Sequence, residues 1–362
     1  MKGINIAVLG YYGANNIGDD MALISLIDIL RKINKIKGIY VLIPNRYLDS
    51  YEGDLEKYGC NIVKWYEMNK IQKIKFILFE NIHLYLWGGG TIFTNEEGDG
   101  NYKMFKIIKF LRKKYAFISV GIGKLSLEGR LKKSKWVIDN SSFSIFRDLN
   151  SLSKAKKMSS NNGLFYSPDI VYNYLKECHE KLTSNKRYIS ITWRNLEKYI
   201  DTKLEIRIMN YICEVINSYF LKNNIVCDIL ILTFDKNIDM VDGDKLKKYL
   251  GSRGIGSKVY SPKNIKEGIE IINDSFFHIS SRLHTSFISE FLSVDTLTFS
   301  YSPKIDYLYE QIKKKELFIN IHDAKKIELT LEKYEKCVNK NADFLALDND
   351  YKKILSLLDL IV

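Results

Sequence analysis

Short apolar runs alternate with helix-length amphipathic segments along most of the chain. Between the first two runs, apolar residues recur at the spacing of an amphipathic helix, at Leu23, Leu26, Ile27, Leu30 and Ile33. Nearly continuous apolar strands that alternate with helices are typical of a parallel sheet covered on both faces. The first half of the chain therefore predicts strands at NIAVLG (5–10), YVLI (40–43), NIVKW (61–65), HLYLW (83–87), FISVGIG (117–123) and FSIF (143–146).

The alternation restarts after the polar stretch KECHEKLTSNKR (176–187), with a long helix predicted around 202–222. Further strands are predicted at YISITW (188–193), VCDILILTF (226–234), KVYS (258–261), FFHISS (276–281) and DTLTFS (295–300). We predict an α/β fold of two Rossmann-like, doubly wound parallel-sheet domains that face a cleft. The domains cover 1–180 and 181–323, and a C-terminal helical segment covers 324–362. Ligands of such sheets bind at the carboxyl ends of the strands.

Composition is compatible with two globular domains, because 46% of the 362 residues are apolar. The five cysteines are scattered without a C-x-x-C pair, which argues against a zinc knuckle or a disulfide framework and favours a reducing compartment. The N-terminal MKGINIAVLG lacks the features of a signal peptide, and no apolar stretch approaches the roughly 20 residues that a membrane span needs. We expect a cytoplasmic protein.

The formal net charge of +12 has several explanations. Nucleic acid, an anionic membrane surface or an anionic small substrate would each account for it. However, the lysines occur singly or in short runs such as 313–315, which favours a lysine-rich solvated surface over one basic binding block. We predict no nucleic-acid partner and leave open a peripheral association with the inner face of the membrane.

Two glycine-rich loops follow strands of the first predicted domain. The first, GYYGANNIGDD (10–20), is not a Walker A loop, because no Gly-Lys-Ser/Thr follows, and it lacks the glycine spacing of a dinucleotide fingerprint. Asn16 and Asp19 are candidate sugar ligands, and Asp19 is equally a candidate helix cap, a role that can coexist with sugar binding. The second loop contains Gly88, Gly89 and Gly90, whose backbone N–H groups would suit an anion or a sugar hydroxyl.

Cationic side chains follow three strands of the second predicted domain. Arg194 follows YISITW, Arg282 and His284 follow FFHISS, and Lys304 follows DTLTFS, just after Tyr301. Several cations around a helix N-terminus form an anion site, and arginine binds carboxylate or phosphate in a bidentate manner. For either arginine alone, a structural carboxylate partner would be the simpler explanation. Convergence of all four side chains favours an anion site, with a histidine that can act as general acid or base.

The remaining candidates for chemistry favour structural roles. His278 lies inside an apolar strand and is interpreted as a core histidine. Asp242 and Asp244 superficially match the D-x-D motif of metal-dependent glycosyltransferases, but their position between a strand and a lysine-rich helix favours a loop with a helix cap. We therefore predict no metal and no cofactor.

At these same positions the sequence resembles the polysaccharide pyruvyltransferase family. The segment with Arg282 and His284, followed by the one with Tyr301 and Lys304, is the most specific part. The segments that carry the resemblance occur in order over roughly the first 310 residues: GYYGANNIGDD (10–20), LWGGGTIF (86–93), SIFRDLNS (144–151), SPDIVY (167–172), ISITWR (189–194), SSRLHTSFIS (280–289) and TFSYSPKIDYL (298–308).

The resemblance implies a GT-B-like architecture, phosphoenolpyruvate as the donor and co-substrate, and a sugar acceptor in a lipid- or nucleotide-linked glycan precursor or a free glycan. It implies His284 as the acid/base, with Arg194 and Arg282 as catalytic residues that hold the donor. Lys304 and Tyr301 would assist at the donor, and Asn16, Asp19 and the Gly88–Gly90 loop would face the acceptor. Trp193 departs from the family pattern, in which a small or aliphatic residue is expected, and could reshape the pocket.

Two other functions remain open at this stage. A nucleotide-sugar glycosyltransferase on the same architecture also needs an anion site in the second domain, together with an acidic residue that grips the ribose. Glu290 is the only obvious candidate for that residue. A non-catalytic glycan- or nucleotide-binding protein is the second alternative, although it would not need Arg194, Arg282, His284 and Lys304 together.

Overall fold

A computed structural model gives the structure of two compact units, Met1–Tyr174 with Leu347–Val362, and Leu175–Ala346. The predicted boundary near residue 180 stays a prediction. Most of the predicted helical segment 324–362 lies outside the described residues. Within it, 354–358 are helical, with Ile354 and Leu358 buried. The structure describes residues 3–13, 16–43, 55, 58–95, 99–194, 196–197, 199–234, 239–314, 318–321, 335, 342–344 and 354–358.

The first unit is built on a parallel sheet in the order β3-β2-β1-β4-β6-β7-β8, with β5 beside β6. Its strands are β1 (Ile4–Leu9), β2 (Ile36–Leu42), β3 (Asn61–Val63), β4 (Ile82–Gly88), β5 (Thr91–Phe93), β6 (Lys114–Ile122), β7 (Ser144–Phe146) and β8 (Leu164–Tyr166). Its helices are α1 (Ile17–Arg31), α2 (Lys70–Phe79), α3 (Tyr102–Phe110), α4 (Glu128–Asp139), α5 (Leu149–Met158) and α6 (Val171–His179), the last of which crosses into the second unit.

The second unit is built on a parallel sheet in the order β11-β10-β9-β12-β13-β14. Its strands are β9 (Tyr188–Thr192), β10 (Asp228–Leu232), β11 (Lys258–Tyr260), β12 (Ser275–Ser280), β13 (Asp295–Ser300) and β14 (Ile319–Asn320). Its helices are α7 (Thr202–Asn223), α8 (Asp239–Ser252), α9 (Ile265–Asn273), α10 (Leu283–Phe291) and α11 (Pro303–Gln311).

Burial explains why the apolar runs form strands. The runs in β4, β6 and β12 are almost wholly buried, as expected for strands covered by helices on both faces. In the first unit, Phe105 of α3 packs edge-to-face on Phe117 of β6, which also contacts Phe93. None of the described helices is long and apolar enough to cross a membrane.

The strand order of each sheet reverses once, and these reversals locate the candidate sites. In the first sheet the order runs from β1 to β3 in one direction and from β4 to β8 in the other, so that β1 and β4 are neighbours at the switch point. In the second sheet β9 and β12 hold the same positions. Crevices at the carboxyl ends of such strand pairs are where open α/β sheets bind ligands. The predicted α/β fold is confirmed.

Candidate active site

Arg194 and Arg282 lie at the switch point of the second sheet because their strands pair in register. Thr192 is aligned with Ser280 across β9 and β12, and each arginine follows its aligned residue by two positions. The backbone N–H of Arg194 donates to Ser281 Oγ at 2.7 Å, and the N–H of Ser281 donates to the carbonyl of Thr192 at 2.9 Å. These bonds join the two strand ends directly.

Tyr301 follows β13 and contacts two cations, Arg194 and Lys304, which the sequence places after different strands. Arg194 Nη1 donates to the Tyr301 hydroxyl at 3.2 Å, and the guanidinium carbon lies 5.4 Å from the ring centroid. Lys304 Nζ lies 5.7 Å from the same centroid. The ring of Tyr199 packs on Tyr301 with centroids 4.8 Å apart. Tyr301 is buried, so these contacts fix its orientation.

The electrostatics of Tyr301 report a positive field at this point. Burial by itself would raise the pKa of its phenol, but the charges of Lys304, Arg194 and Arg282 outweigh burial and lower the pKa below its usual value. Three cations therefore act on one hydroxyl group. Such a field favours an anionic ligand, because like charges held together gain most from a negative partner.

Arg282 is held by an ion pair with the buried carboxylate of Asp239, the first residue of α8. Asp239 in turn accepts a hydrogen bond from the backbone N–H of Phe234 at 3.1 Å, which anchors the carboxylate to the end of β10. A guanidinium carries five N–H donors in a planar fork, so one carboxylate does not exhaust its capacity for hydrogen bonding. The ion pair fixes the direction in which this fork points.

His284 is the second residue of α10, and its side chain is partly buried. The helix begins after Arg282, whose backbone is fixed by Ser280 Oγ through contacts of 3.0 Å to the N–H and 2.9 Å to the carbonyl. Neither Arg282 before α10 nor Ser302 before α11 caps its helix with its own side chain. The positive ends of both helix dipoles thus lie at the strand ends that carry the cations.

His278 and Trp193 belong to the interior of the unit. His278 is fully buried in β12, where its ring nitrogens contact Ser190 Oγ at 2.8 Å and Thr192 Oγ1 at 3.3 Å. Burial lowers the pKa of His278 to about 3. The prediction of a core histidine is confirmed. Trp193 is also buried and packs edge-to-face on Phe299, so its bulk fills the core.

Glu290, the candidate ribose ligand, is also engaged inside the unit. Its carboxylate accepts from Lys314 Nζ at 2.7 Å and from the Tyr309 hydroxyl at 2.9 Å, and both charged side chains are almost inaccessible to solvent. Burial raises the pKa of Glu290, while Lys314 opposes that shift. These contacts give Glu290 a structural role.

In the first unit, the triple glycine closes the end of β4 against α1. Gly89 and Gly90 adopt φ values of +74° and +81°, which non-glycine residues rarely adopt. The Tyr12 hydroxyl donates to the carbonyl of Gly88 at 2.8 Å, and the N–H of Gly89 donates to the carbonyl of Ile118 at 2.8 Å. The N–H of Gly89 is therefore used by the sheet, and the acceptor role of this loop stays a prediction.

Asn16 and Asp19 lie at the start of α1, beside the glycine loop. Asn16 Nδ2 donates to Asp19 Oδ2 at 2.6 Å, and an added Cβ on Gly90 would lie 3.6 Å from Asp19 Oδ1. The N-cap residue of α1 is Asn16, so the prediction of Asp19 as the cap is wrong, whereas its role as a sugar ligand stays a prediction. Asp20 accepts from the N–H of Gly13 at 2.9 Å and so fixes the preceding loop.

Within the described residues, no group of three or more His, Cys, Asp or Glu side chains is arranged to hold a metal ion. Asp242 and Asp244 lie inside the first turns of α8, where Asp242 is buried and Asp244 is exposed. The predicted loop at this position is therefore wrong, although its association with a helix start is correct. The absence of a metal from the reaction stays a prediction.

Comparison with protein families identifies the chain. A family model described as Polysaccharide pyruvyl transferase matches residues 16–303. The chain belongs to this family. The match includes Arg194, Arg282, His284 and the triple glycine, whereas Lys304 follows its last residue directly. No curated protein matches the sequence.

Solved structures similar to this pyruvyl transferase family member share its GT-B fold at low sequence identity. The UDP-GlcNAc 2-epimerase of Methanocaldococcus jannaschii, solved with UDP-GlcNAc and UDP, is 13% identical with a TM-score of 0.66, and 98% of this chain and 99% of that one are covered. The UDP-GlcNAc 2-epimerase of Neisseria meningitidis, bound to UDP-GlcNAc, is 13% identical with a TM-score of 0.63, covering 98% and 99%. The O-GlcNAc transferase of Thermobaculum terrenum is 11% identical with a TM-score of 0.52, covering 99% and 66%.

One cluster inside the family match had no role predicted from sequence. Arg147, which follows β7, donates to Asp169 Oδ2 at 3.1 Å and to Thr91 Oγ1 at 2.7 Å. Asp169 also accepts from Ser119 Oγ at 3.1 Å. Because Thr91 directly follows Gly90, the partly buried ion pair between Arg147 and Asp169 is linked to the end of the glycine loop. Arg147 and Asp169 occur in segments that carry the family resemblance, and this resemblance was the one feature of the sequence that could have indicated a role for them.

Proposed function

We propose that this protein transfers the pyruvyl group of phosphoenolpyruvate to two hydroxyls of one sugar in a glycan or glycan precursor, forming a pyruvate ketal. Membership of the pyruvyl transferase family supports the reaction class. The observation that carries the assignment of the donor site is that Arg194 and Lys304 both contact Tyr301, while Arg282 follows the strand aligned with that of Arg194. A donor that carries both a phosphate and a carboxylate matches a site that presents several cations.

The donor is positioned by the arginines. Arg194 and Arg282 follow adjacent strands in register, so their guanidinium groups can hold two anionic groups of one ligand. The ion pair with Asp239 orients Arg282 before the ligand arrives, which reduces the ordering cost of binding. Lys304 and the N-terminus of α11 add positive potential near the departing phosphate.

His284 supplies the proton that starts the reaction. It donates a proton to C3, the methylene carbon of phosphoenolpyruvate, and C2 becomes electrophilic. A sugar hydroxyl then attacks C2 with loss of its proton, and the C2–O bond to phosphate breaks. The second hydroxyl adds to the same carbon and closes the ketal, so that two hydroxyl protons are lost while one proton is gained by C3 and one by the phosphate.

The acceptor side of this proposal rests on Asn16, Asp19 and the Gly88–Gly90 loop. These groups lie at the switch point of the first sheet, where an α/β sheet binds its ligand. Carboxylate and amide oxygens suit sugar hydroxyls. Nucleotide sugars are bound by the two epimerases of similar fold, which supports a nucleotide-linked sugar among the acceptors to be tested.

Release of inorganic phosphate, combined with the mass of the acceptor, tests the proposal. Incubation with phosphoenolpyruvate and a panel of glycan precursors should release phosphate in the presence of EDTA and add one pyruvate ketal to the acceptor.

Arg194→Ala should weaken donor binding by about 1.5–3 kcal/mol, or roughly ten- to over a hundredfold. His284→Ala should lower turnover by about 10²–10⁴-fold. Arg253→Ala and His83→Ala, which alter exposed side chains elsewhere, serve as matched controls.

The main alternative makes a different product. A nucleotide-sugar glycosyltransferase would release a nucleotide and add a whole sugar, and it would need an acidic ribose ligand. Glu290 does not fit that role, because its carboxylate is buried against Lys314 and Tyr309. A sugar-sized mass increment that depends on a nucleotide sugar and not on phosphoenolpyruvate would refute the proposed function. Binding of phosphoenolpyruvate without phosphate release for any acceptor would favour a non-catalytic binding protein.

A further inference from the structure

Large apolar side chains are exposed on two helices of the first unit. α2 buries only Ile77 among its ten residues, and its last residue, Phe79, is 80% exposed. α3 ends in Phe110, which is 84% exposed. The other exposed apolar side chains of the two helices are Ile71, Ile74, Leu78 and Ile107. Scattered single apolar residues are normal on a surface, but a group of six on two helices is not.

The spacing of these residues makes the exposure a property of one face of each helix. In α2, Ile71, Ile74 and Leu78 are related by steps of three and four residues, and they therefore share one side, opposite Phe76, which packs against the core. In α3, Ile107 and Phe110 lie three residues apart, while Phe105 and Ile108 face the core. Each helix is thus apolar on two sides, and only one of them is covered by its own sheet.

Both helices cover the same side of the sheet. α2 connects β3 to β4 and α3 lies between β4 and β6, so the chain moves across the sheet in the same direction through each of them. Because such crossovers are right-handed, helices that move in one direction lie on one face. Consistent with this, Ile77 of α2 and Phe105 of α3 enter one hydrophobic core. We call the outward sides of α2 and α3 the basic apolar face.

Charge on the basic apolar face has one sign. The sequences of α2 (KIQKIKFILF) and α3 (YKMFKIIKF) contain three lysines each and no acidic residue. Lys73 Nζ lies 5.4 Å from the Trp65 ring centroid and Lys73 is partly buried, whereas the other five lysines are exposed. The exposed lysines are Lys70, Lys75, Lys103, Lys106 and Lys109.

We propose that the basic apolar face docks on an anionic phospholipid surface. Lysines beside exposed phenylalanine, isoleucine and leucine match the two parts of such a surface, since the apolar side chains enter the headgroup boundary and the ammonium groups contact lipid phosphates. Nucleic acid would use the lysines but leave the apolar side chains in water. A second copy of the chain in a twofold interface would bring two positively charged faces together. This inference is independent of the proposed reaction.

Vesicle flotation tests the docking surface with the intact protein. It should float with vesicles of phosphatidylcholine and phosphatidylglycerol, fail to float with phosphatidylcholine alone, and dissociate as salt is raised. Phe79→Ser/Phe110→Ser should lower vesicle affinity by at least about tenfold. Leu221→Ser, which alters a side chain 83% exposed on the second unit, should leave it unchanged and is the matched control.

Charge reversal separates lipid binding from adhesion of apolar side chains. Lys75→Glu/Lys109→Glu should also lower affinity for anionic vesicles by at least about tenfold, while Lys247→Glu/Lys248→Glu on α8 should have little effect. Circular dichroism of every variant confirms that it is folded. The proposal would be overturned if the phenylalanine variant and the Leu221 variant bound anionic vesicles equally well. It would also be overturned if the natural protein bound neutral vesicles as well as anionic ones, or did not bind anionic vesicles. The proposal would also be overturned if the variants of the basic apolar face floated like the natural protein but no longer bound an RNA, or no longer formed a dimer that light scattering detects for the natural protein.

Discussion

Because His278 is held neutral in the centre of the second sheet, it should make that unit sensitive to acid. An unperturbed histidine titrates near pH 6.5, whereas burial lowers the pKa of His278 to about 3. Between these values the unfolded chain binds a proton that the folded chain excludes. The contribution of His278 to stability is therefore fully present above pH 6.5 and is lost as the pH falls toward 3.

The size of the effect follows from the two pKa values. Acidification from about pH 7.5 to about pH 5 ends about 1.5 pH units below the pKa of the unfolded histidine, while the folded histidine stays neutral. Each of those pH units lowers the free energy of unfolding by about 1.4 kcal/mol, so that the protein loses about 2 kcal/mol of stability. His278→Asn removes the titrating group and keeps an amide that can bond Ser190. It should lower stability at both pH values by creating a small cavity, but its loss on acidification should be about 2 kcal/mol smaller than that of the natural protein.

Urea titrations at the two pH values measure this difference. A short hydrogen-exchange pulse at one fixed pH, read by mass spectrometry, reports unfolding separately for peptides of β9 and β12 and for peptides of β4 in the first unit. The β4 peptides are the internal reference, because both proteins share the titrating groups of that unit. Equal losses of stability in the natural protein and in His278→Asn would refute the conclusion that the histidine is held neutral.

Two further predictions concern residues whose roles are structural. Lys314→Met should destabilise the second unit by about 3–5 kcal/mol because it leaves the Glu290 carboxylate buried without its counter-charge, and Lys314→Met/Glu290→Gln should recover most of that loss in urea unfolding. Gly89→Ala should cost about 1–3 kcal/mol, since its φ is +74° and the new Cβ would lie 3.1 Å from the Ala22 Cβ. Gly129→Ala, where a Cβ meets nothing within 4 Å, should be neutral or slightly stabilising, and equal effects at the two glycines would contradict the strain argument.

Sequence reasoning succeeded for strands with long apolar runs. Each of the eleven strands predicted from sequence overlaps a strand of the structure, because short segments rich in apolar residues between helix-length segments fit buried parallel strands. β5, β8 and β14 were not predicted. They are two or three residues long, so the sequence carries little periodic signal there, although the equally short β3, β7 and β11 show that length alone does not decide the outcome.

The candidate site also contains residues that the sequence predicts and residues that it does not. The positions of Arg194 and Arg282 follow from a local rule, since residues just after parallel strands meet at one edge of the sheet. Asp239 and Tyr199 complete the site through contacts with residues far along the chain, Arg282 and Tyr301. The spacing of residues along the sequence does not predict these contacts, because they depend on how α8 and the segment before α7 pack in the folded unit.

The assignment of residues 347–362 to the first unit has a consequence for the order of synthesis. Ile354 and Leu358 are buried, yet the ribosome produces them after the whole of the second unit. The second unit can therefore complete its fold while the first still lacks part of its chain. During that interval the first unit lacks Ile354 and Leu358, two side chains that are buried in the completed protein. A stop codon late in the gene would thus damage the domain that is encoded first.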